Sequence, residues 1–341
     1  MRARRPGGRA VSGGGMRTLL QEAIADAGWR DRPAGDPTSA DAYLDLLRVL
    51  YETGRRDLPL GRLLEGHVDA TQIVHRYGTP AQVAAARAAI ADGGRLGVWN
   101  AGLAGEPLVL DGDRLSGGKS YASGAGVLSH ALVTADTPDG PQLLLLDLQR
   151  VAPAVDRDWW RVTGMQRSET HQVRWADAVV TRDDRIGAPG DYPREPWFSG
   201  GALRFVTVHA GGVAGLFDRA RDHLVAAGRA DDPFQAARLA ELWTLTEGAA
   251  AAVRRAAGHW FEAEGEERLA RVAAARLAVT AAAERALTVA QEAVGLPGHF
   301  TSHPLASQLA DLSVYLRQPA PDAQRLRVGR AAAAGLLQAG L

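Results

Sequence analysis

The spacing of hydrophobic residues changes twice along this 341-residue chain. Near the N-terminus and again after Gly200, apolar side chains recur every three or four positions, which is typical of amphipathic helices. Between these two parts, short β-rich runs are separated by Gly-Asp, Gly-Gly and Pro-Asp-Gly turn signals. The sequence therefore predicts an α+β protein of several domains: N-terminal helices at 17–93, a middle β-domain at 94–190 and a C-terminal helical bundle at 198–341.

The last part of the chain predicts a four-helix bundle. Three long segments rich in Ala, Leu and Val carry their charges on one face, and alanine lets helices approach each other closely. The third segment ends at Gly295, and a loop of Gly, Pro and His residues leads to a helix that begins near Pro304. That helix ends at Gln318-Pro319-Ala320-Pro321, because two prolines prevent its continuation. The region Val289–Asp322 thus places a glycine-containing loop between two helices, where backbone can approach a ligand.

Composition excludes several classes of protein. The 39 basic and 39 acidic residues balance, so nothing indicates a surface for nucleic acid. The absence of cysteine excludes disulfides, cysteine–zinc sites and a thiol nucleophile, and no histidine motif predicts a metal site. No apolar run reaches the length of a membrane span. Residues 1–16 are rich in Arg and Gly and lack the apolar core of a secretion signal, so we expect a disordered tail on a cytoplasmic protein.

Two stretches of the β-domain combine residues that can bind a planar ligand. The run from Gly118 to Gly124 contains small residues and a hydroxyl at Ser123, so its backbone can approach a ring closely. Trp99 and Asn100 stand side by side at another strand end, where they offer a stacking face and an amide. Taken alone, the first stretch is more typical of a Gly-rich turn and the second of a half-buried tryptophan. Whether they form a ligand site therefore depends on the other segments of the chain.

Taken together, these segments resemble the acyl-CoA dehydrogenase family of flavoproteins over residues 58–335. The order of helices, β-domain and bundle carries part of the resemblance. The most specific match is GMQRSET at 164–170, which is followed by VRWADAVV and Ile186-Gly187 and resembles a passage typical of the family. Lys119–Gly124 resembles the strand whose residues contact the flavin. Gln291–Gly298 resembles the glycine loop that contacts the flavin from a neighbouring subunit.

The resemblance implies that FAD lies between the β-domain and the C-terminal bundle. In that arrangement the isoalloxazine ring is lined by Trp99, Asn100, Tyr121 and Ser123. Gln291 and Gly295 of a neighbouring subunit approach the adenosine diphosphate part, and Arg229 matches the arginine that reaches the pyrophosphate. Because the site is shared between subunits, the resemblance also implies a homodimer or homotetramer.

The chain departs from the family at the position of its catalytic base. Family dehydrogenases use a glutamate to remove the α-proton of an acyl thioester, and hydride passes to the flavin. Counted back from Arg325-Leu326, that position here is Gln318, and an amide has no useful basicity. Some relatives place the base on the first helix of the C-terminal domain, but here no acidic residue lies between Glu195 and Asp218. The usual dehydrogenation therefore lacks its base.

Three functions remain open. The first is an FAD-dependent, acyl-CoA dehydrogenase-like oxidoreductase that acts on the CH–CH group of an acyl-CoA, another carrier-bound thioester or a small molecule. It would use His209, His299 or His303 as the base, and its redox partner is unknown. The second is a reduced-flavin-dependent monooxygenase, because the Gly-Lys-x-x-x-Ser-Gly strand and the Trp99-Asn100 pair resemble the dibenzothiophene monooxygenase and hydroxyphenylacetate hydroxylase branch. The third is a non-catalytic flavoprotein-like subunit that supports a partner.

Overall fold

The computed structural model describes residues 13–338, and the first part of this range is helical. Four helices precede the sheet: α1 (Gly13–Asp26), α2 (Ala40–Arg56), α3 (Leu58–Tyr77) and α4 (Pro80–Ala91). The side chains of Ser39, Asp57 and Thr79 each accept a backbone N–H at the start of the following helix, as expected of N-cap residues. The predicted N-terminal helices are therefore present.

Part of the predicted disordered tail, residues 1–16, is helical. Residues 13–16 form the first turn of α1, and residues 1–12 lie outside the described part of the chain. Met16 is 1% exposed and extends the buried face of Leu20 and Ile24 at a spacing of four residues. The three glycines before Met16 have low helix propensity, but burial of the methionine side chain favours the helix.

The middle part folds into one eight-stranded sheet of mostly antiparallel strands. The strands are β1 (Leu96–Trp99), β2 (Val109–Asp111), β3 (Arg114–Ala122), β4 (His130–Thr137), β5 (Gly140–Asp147), β6 (Ala154–Asp156), β7 (His171–Val179) and β8 (Arg185–Ile186). Their order across the sheet is β6-β7-β3-β2-β4-β5-β8, and β1 pairs with β4 in parallel. The Asp-Gly turn of the sequence joins β2 to β3, and Gly112 adopts a φ of +57° there.

The last part consists of helices that pack around α6. They are α5 (Trp197–Gly200), α6 (Ala202–Ala226), α7 (Pro233–Glu262), α8 (Gly265–Val294), α9 (Pro304–Tyr315) and α10 (Pro321–Ala333). Helix α6 contacts α7, α8 and α9 of this part and α2 of the first part. A Cβ at Gly211 would lie 2.1 Å from the carbonyl oxygen of Tyr51, so only glycine allows α6 to approach α2 this closely.

Helix α3 lies at the junction of the three parts. The backbone N–H of Leu96, at the start of β1, donates a hydrogen bond of 3.1 Å to His67 Nδ1 on α3. From the other side, the hydroxyl of Tyr315 at the end of α9 donates to Glu65 Oε1 at 3.2 Å. The polar residues of α3 therefore face both the sheet and the bundle. Within residues 13–338, no helix combines the length and the hydropathy needed to cross a membrane.

Candidate functional site

Ser123, just beyond the end of β3, is the centre of a buried group of hydroxyls. Its backbone carbonyl accepts a hydrogen bond of 2.8 Å from Trp99 Nε1, so two predicted site residues meet. Thr170 donates from Oγ1 to Ser123 Oγ at 3.0 Å, and Ser168 Oγ lies 2.7 Å from Thr170 Oγ1. Because Ser123 Oγ accepts from Thr170 and no acceptor for its own O–H is present among residues 13–338, that O–H is available to a ligand.

Asn100 follows β1 and is held by a second polar chain. Buried Lys119 donates from Nζ to Thr134 Oγ1 at 2.9 Å, and Thr134 donates to Asn100 Oδ1 at 2.6 Å. Burial lowers the pKa of Lys119 to about 8, and the charge of Asp136 opposes this change. Because the amide oxygen of Asn100 is occupied, its exposed –NH₂ group points away from Thr134. No hydrogen bond donated by this –NH₂ group is present within residues 13–338, so Asn100 offers a second donor to a ligand.

An aromatic surface lies beside these donors. The pairing of β3 with β7 shifts register between Lys119 and Ala122, and Tyr121 adopts a φ of +52° there. As a result the Tyr121 side chain is 57% exposed, and its ring meets Trp159 edge-on with centroids 4.9 Å apart. Trp159 in turn stacks on Trp160 at 5.8 Å. In the sequence, the consecutive tryptophans before the GMQRSET motif are the feature that indicates this aromatic surface.

The GMQRSET loop connects this surface to α9. Gly164 lies directly against the helix, because a Cβ there would be 2.1 Å from the carbonyl oxygen of Ala310. The backbone N–H of Met165 donates a hydrogen bond to Asp311 Oδ1. Burial raises the pKa of Asp311 to about 6, and this hydrogen bond limits the rise. Arg167 forms an ion pair of 2.8 Å with Asp57, the N-cap of α3. The loop therefore joins the sheet to both helical parts.

Gln318, at the predicted base position, is bound to its own helix end. Its side-chain Nε2 donates to the carbonyl oxygen of Tyr315 at 2.9 Å. Arg276 of α8 holds the next residue by donating from Nη2 to the Pro319 carbonyl oxygen at 2.7 Å. The amide can orient a neighbour, but it cannot remove a proton at neutral pH.

The three histidines considered as alternative bases lie in different surroundings. His209 on α6 is buried, and neither ring nitrogen makes a well-aligned hydrogen bond among residues 13–338, although the Tyr315 backbone approaches the ring. Burial lowers its pKa to about 3, so the ring is neutral. His303 is the N-cap of α9 and accepts from Leu305 N with Nδ1, while its Nε2 lies 3.1 Å from His223 Nδ1. His299 lies in a short 3₁₀ turn, Leu296–His299. Of these three histidines, only His209 is buried.

The residues predicted to contact the adenosine diphosphate part lie in the C-terminal helical part of the chain. Arg229 is exposed in the turn after α6, and Gln291 Nε2 donates to Leu287 O within α8. Gly295 ends α8 with a φ of +72°. Within the described residues no hydrogen bond or ion pair joins these three to the Ser123 group. Their contact with the adenosine diphosphate part stays a prediction.

Comparison with known proteins identifies the fold. No protein-family model matches the chain, and no curated protein sequence matches it. The dibenzothiophene monooxygenase of Paenibacillus sp. A11-2 superposes with a TM-score of 0.76 at 19% identity, covering 94% of this chain and 96% of that chain. The butyryl-CoA dehydrogenase of Megasphaera elsdenii gives a TM-score of 0.76 at 17% identity, covering 93% and 89%.

A third solved structure carries both a flavin and a second ligand. KijD3, in complex with FMN and dTDP-3-amino-2,3,6-trideoxy-4-keto-3-methyl-D-glucose, gives a TM-score of 0.73 at 18% identity and covers 95% of each chain. The chain therefore has the acyl-CoA dehydrogenase-like fold, as the order of its segments predicted, with a strongly divergent sequence.

Proposed function

We propose that this protein is a flavin-dependent oxidoreductase, and that the strand ends carrying Asn100 and Ser123 hold the isoalloxazine ring. The observation that carries the proposal is the pair of free donors, the Asn100 –NH₂ and the Ser123 O–H, beside the exposed ring of Tyr121. A flat, hydrogen-bond-accepting ring matches both features. A bound flavin supplies the oxidation–reduction chemistry, whereas these residues bind and orient the ring. The same fold holds FMN in the Paenibacillus enzyme.

The resemblance implies FAD, and FMN-bound proteins of the same fold make FMN a second candidate. The two flavins differ by the adenosine monophosphate part, which only FAD carries. We assign that part to Arg229 together with Gln291 and Gly295 of a second copy, in a homodimer or homotetramer. Comparison of the affinities of FAD and FMN for the same preparation tests this assignment, because the extra contacts favour FAD.

Among flavin reactions, we favour a monooxygenase that takes up reduced flavin and uses molecular oxygen. Gln318 provides no base for α-proton removal, and its amide is bound to Tyr315 O. Oxygen transfer does not require that base, and the donors of Asn100 and Ser123 are each able to bind an oxygen atom. The test is to supply reduced FMN and oxygen, and separately oxidised flavin and butyryl-CoA without oxygen. Anaerobic bleaching of the flavin by butyryl-CoA would contradict this choice.

Dehydrogenation of an acyl thioester is the second candidate, because the butyryl-CoA dehydrogenase matches as well as the monooxygenase does. If the pocket accepts a thioester, Gln318→Glu is expected to raise acyl-CoA-dependent dye reduction by about a hundredfold, since a positioned general base contributes at least that much. Gln324→Glu, on α10, is the matched control and should leave the rate of dye reduction unchanged. Unchanged activity in the variant while wild type already reduces the dye would show that Gln318 is not the base position.

The role of the Ser123 hydroxyl is testable against Ser120, a serine three residues earlier on β3. Ser123→Ala is expected to weaken flavin binding about three- to tenfold, because it removes one hydrogen bond and leaves Thr170 without its acceptor. Ser120→Ala is the matched control, since Ser120 is equally buried but donates to Gly102 O instead. Flavin fluorescence titration measures both. Equal affinities of the two variants would contradict the assigned orientation of the ring.

A further inference from the structure

Lys119 is the only lysine in the chain, and the other 38 residues of the basic set are arginines. Its side chain is 5% exposed, although lysine is one of the residues that folded proteins bury least often. Arginine keeps its proton in proteins, whereas a buried lysine is able to release one. The one position at which this chain has lysine is therefore a buried position on β3, four residues before Ser123.

The ammonium group of Lys119 holds Asn100 at two places. Lys119 Nζ donates to Thr134 Oγ1 at 2.9 Å and to the backbone carbonyl oxygen of Asn100 at 3.4 Å. Thr134 Oγ1 donates in turn to Asn100 Oδ1 at 2.6 Å. Trp99 lies opposite Val133 in the parallel pairing of β1 with β4, so Asn100 and Thr134 are the next residues of the two strands. Lys119 thus reaches both the backbone and the side-chain amide of Asn100.

The charge of Lys119 decides the direction of these hydrogen bonds. An ammonium group has three donors and no acceptor, so Thr134 Oγ1 accepts from Nζ. The hydroxyl proton of Thr134 then needs an acceptor, and Asn100 Oδ1 is its acceptor among residues 13–338. The two ends of an asparagine amide have nearly the same shape, so the surrounding hydrogen bonds fix its orientation. With Lys119 charged, the –NH₂ group of Asn100 therefore points away from Thr134.

Loss of one proton from Lys119 Nζ reverses the same hydrogen bonds. A neutral amine has a lone pair, so Nζ accepts the hydroxyl proton of Thr134. Thr134 Oγ1 then accepts from the Asn100 –NH₂ group, and the amide turns over so that Oδ1 points outward. The side chain of Asn100 is exposed, so this rotation requires no change in the core. Asn100 changes from a hydrogen-bond donor to an acceptor.

The surroundings of Lys119 allow this proton loss under mildly basic conditions. Burial lowers the pKa of Lys119 from 10.5 to about 8, and the carboxylate of Asp136 on β4 opposes the change. The charged side chains on the other strands paired with β3 include Asp111 on β2 and Arg174 on β7, which forms an ion pair with Glu106. Of these four groups, only Asp136 acts on the charge of Lys119.

We propose that Lys119 is a positioning residue of the flavin site: its charged form turns the Asn100 –NH₂ group toward the flavin, and its neutral form turns the amide oxygen there instead. The flavin accepts the hydrogen bond from the –NH₂ group. An amide oxygen in the same place repels the accepting atom, so the protonated enzyme binds the ring more tightly. This inference rests on the proposed function, because it requires the flavin to contact Asn100.

The affinity for oxidised FMN and FAD, measured by fluorescence titration on both sides of the Lys119 titration, tests the proposal. Both flavins are expected to bind about three- to tenfold more weakly above that titration than below it, because one hydrogen bond is lost. Asn100→Ala should remove this step. Ionisation of the flavin ring itself affects both proteins alike, so the difference between them is the measured effect. The same pH dependence in wild type and in Asn100→Ala would overturn the proposal.

Two substitutions at Lys119 separate its charge from its size. Lys119→Arg keeps a positive charge throughout the range, so it should retain tight binding above the titration of Lys119. Lys119→Met keeps the length of the side chain without any charge, so its affinity should be lower than that of wild type at neutral pH and should show no step. A step that persists in Lys119→Met would contradict the role of the ammonium group. If neither variant folds, the comparison of wild type with Asn100→Ala still decides.

The absence of a second lysine makes the titration directly observable. Protein prepared with isotope-labelled lysine gives one side-chain signal in nuclear magnetic resonance spectra, and its midpoint should coincide with the step in flavin affinity. Asp136→Asn removes the carboxylate that favours the ammonium group, so both midpoints should move to lower pH. Asp139→Asn, in the exposed turn after β4, is the matched control and should leave both midpoints unchanged.

The results distinguish this inference from the proposed function. Two midpoints that differ, or that respond differently to Asp136→Asn, would show that Lys119 does not control the orientation of Asn100. Flavin binding without the expected step overturns this inference alone. Failure of the protein to bind FMN or FAD in either redox state overturns the proposed function as well.

Discussion

Replacing Gly164 with valine is expected to remove flavin binding and to destabilise the protein by at least about 1–3 kcal/mol. Gly164 touches α9 so closely that a Cβ would lie 2.1 Å from the carbonyl oxygen of Ala310. The obstacle is helix backbone, which cannot move aside as a flexible side chain can. The GMQRSET loop must therefore withdraw, and the hydrogen bond from Met165 N to Asp311 is lost with it. Thermal unfolding and flavin titration measure the two effects.

Gly102→Val is the matched control for this substitution. Gly102 is exposed after β1, and a Cβ there meets nothing within 4 Å. Its stability should stay within about 0.5 kcal/mol of wild type, as for most surface substitutions. If Gly164→Val and Gly102→Val behave alike, the loop does not depend on contact with α9. In that case, other contacts hold the sheet against the helical bundle.

Trp99→Ala is expected to cost about 3–5 kcal/mol of stability, the usual range for removing a fully buried aromatic side chain. Trp99 is 1% exposed, its ring lies 6.4 Å from Trp175, and its Nε1 holds the carbonyl group of Ser123. The substitution therefore leaves a cavity and also releases the backbone at Ser123. Flavin affinity should fall further than in Ser123→Ala, because both the hydroxyl and its surroundings lose their position.

Two other substitutions separate the loss of the indole volume from the loss of its N–H group in Trp99→Ala. Trp99→Phe retains most of the apolar volume but removes the N–H, so it should lose less stability while still weakening flavin binding. Trp243→Ala removes a tryptophan that is 56% exposed on α7, and it should change neither property. Denaturant titration gives the free energies of unfolding. A Trp99→Ala protein as stable as Trp243→Ala would show that the indole does not support the strand end.

The sequence predicts the local elements of this fold well, because their signals are local. The amphipathic spacing of the helices and the Gly-containing turns of the β-domain each depend on residues within a few positions of one another. The resemblance also predicted Trp99 and Ser123 as parts of one site, and the structure brings them together. Their assignment to flavin binding remains a prediction.

Contacts over long sequence distances could not be predicted in the same way. Thr170 reaches Ser123 only because β7 pairs with β3, some fifty positions earlier in the chain, and no local pattern encodes this register. The support of Asn100 by Lys119 and Thr134 likewise requires three different strands. The burial of Glu65 has no local signal either, because a single acidic residue in an amphipathic helix is usually solvated. Its burial depends on α6 and α9, which follow more than a hundred residues later.

The most direct measurement is an equilibrium titration of the purified protein with FMN and FAD, in oxidised and in reduced form, under anaerobic conditions. Flavin fluorescence and the visible spectrum report binding to the site at Asn100 and Ser123. We expect saturable binding of at least one flavin at one molecule per chain, which weakens in Ser123→Ala but not in Ser120→Ala. No saturable binding of either flavin in either redox state would contradict the proposed function and would leave only a non-catalytic role for this fold.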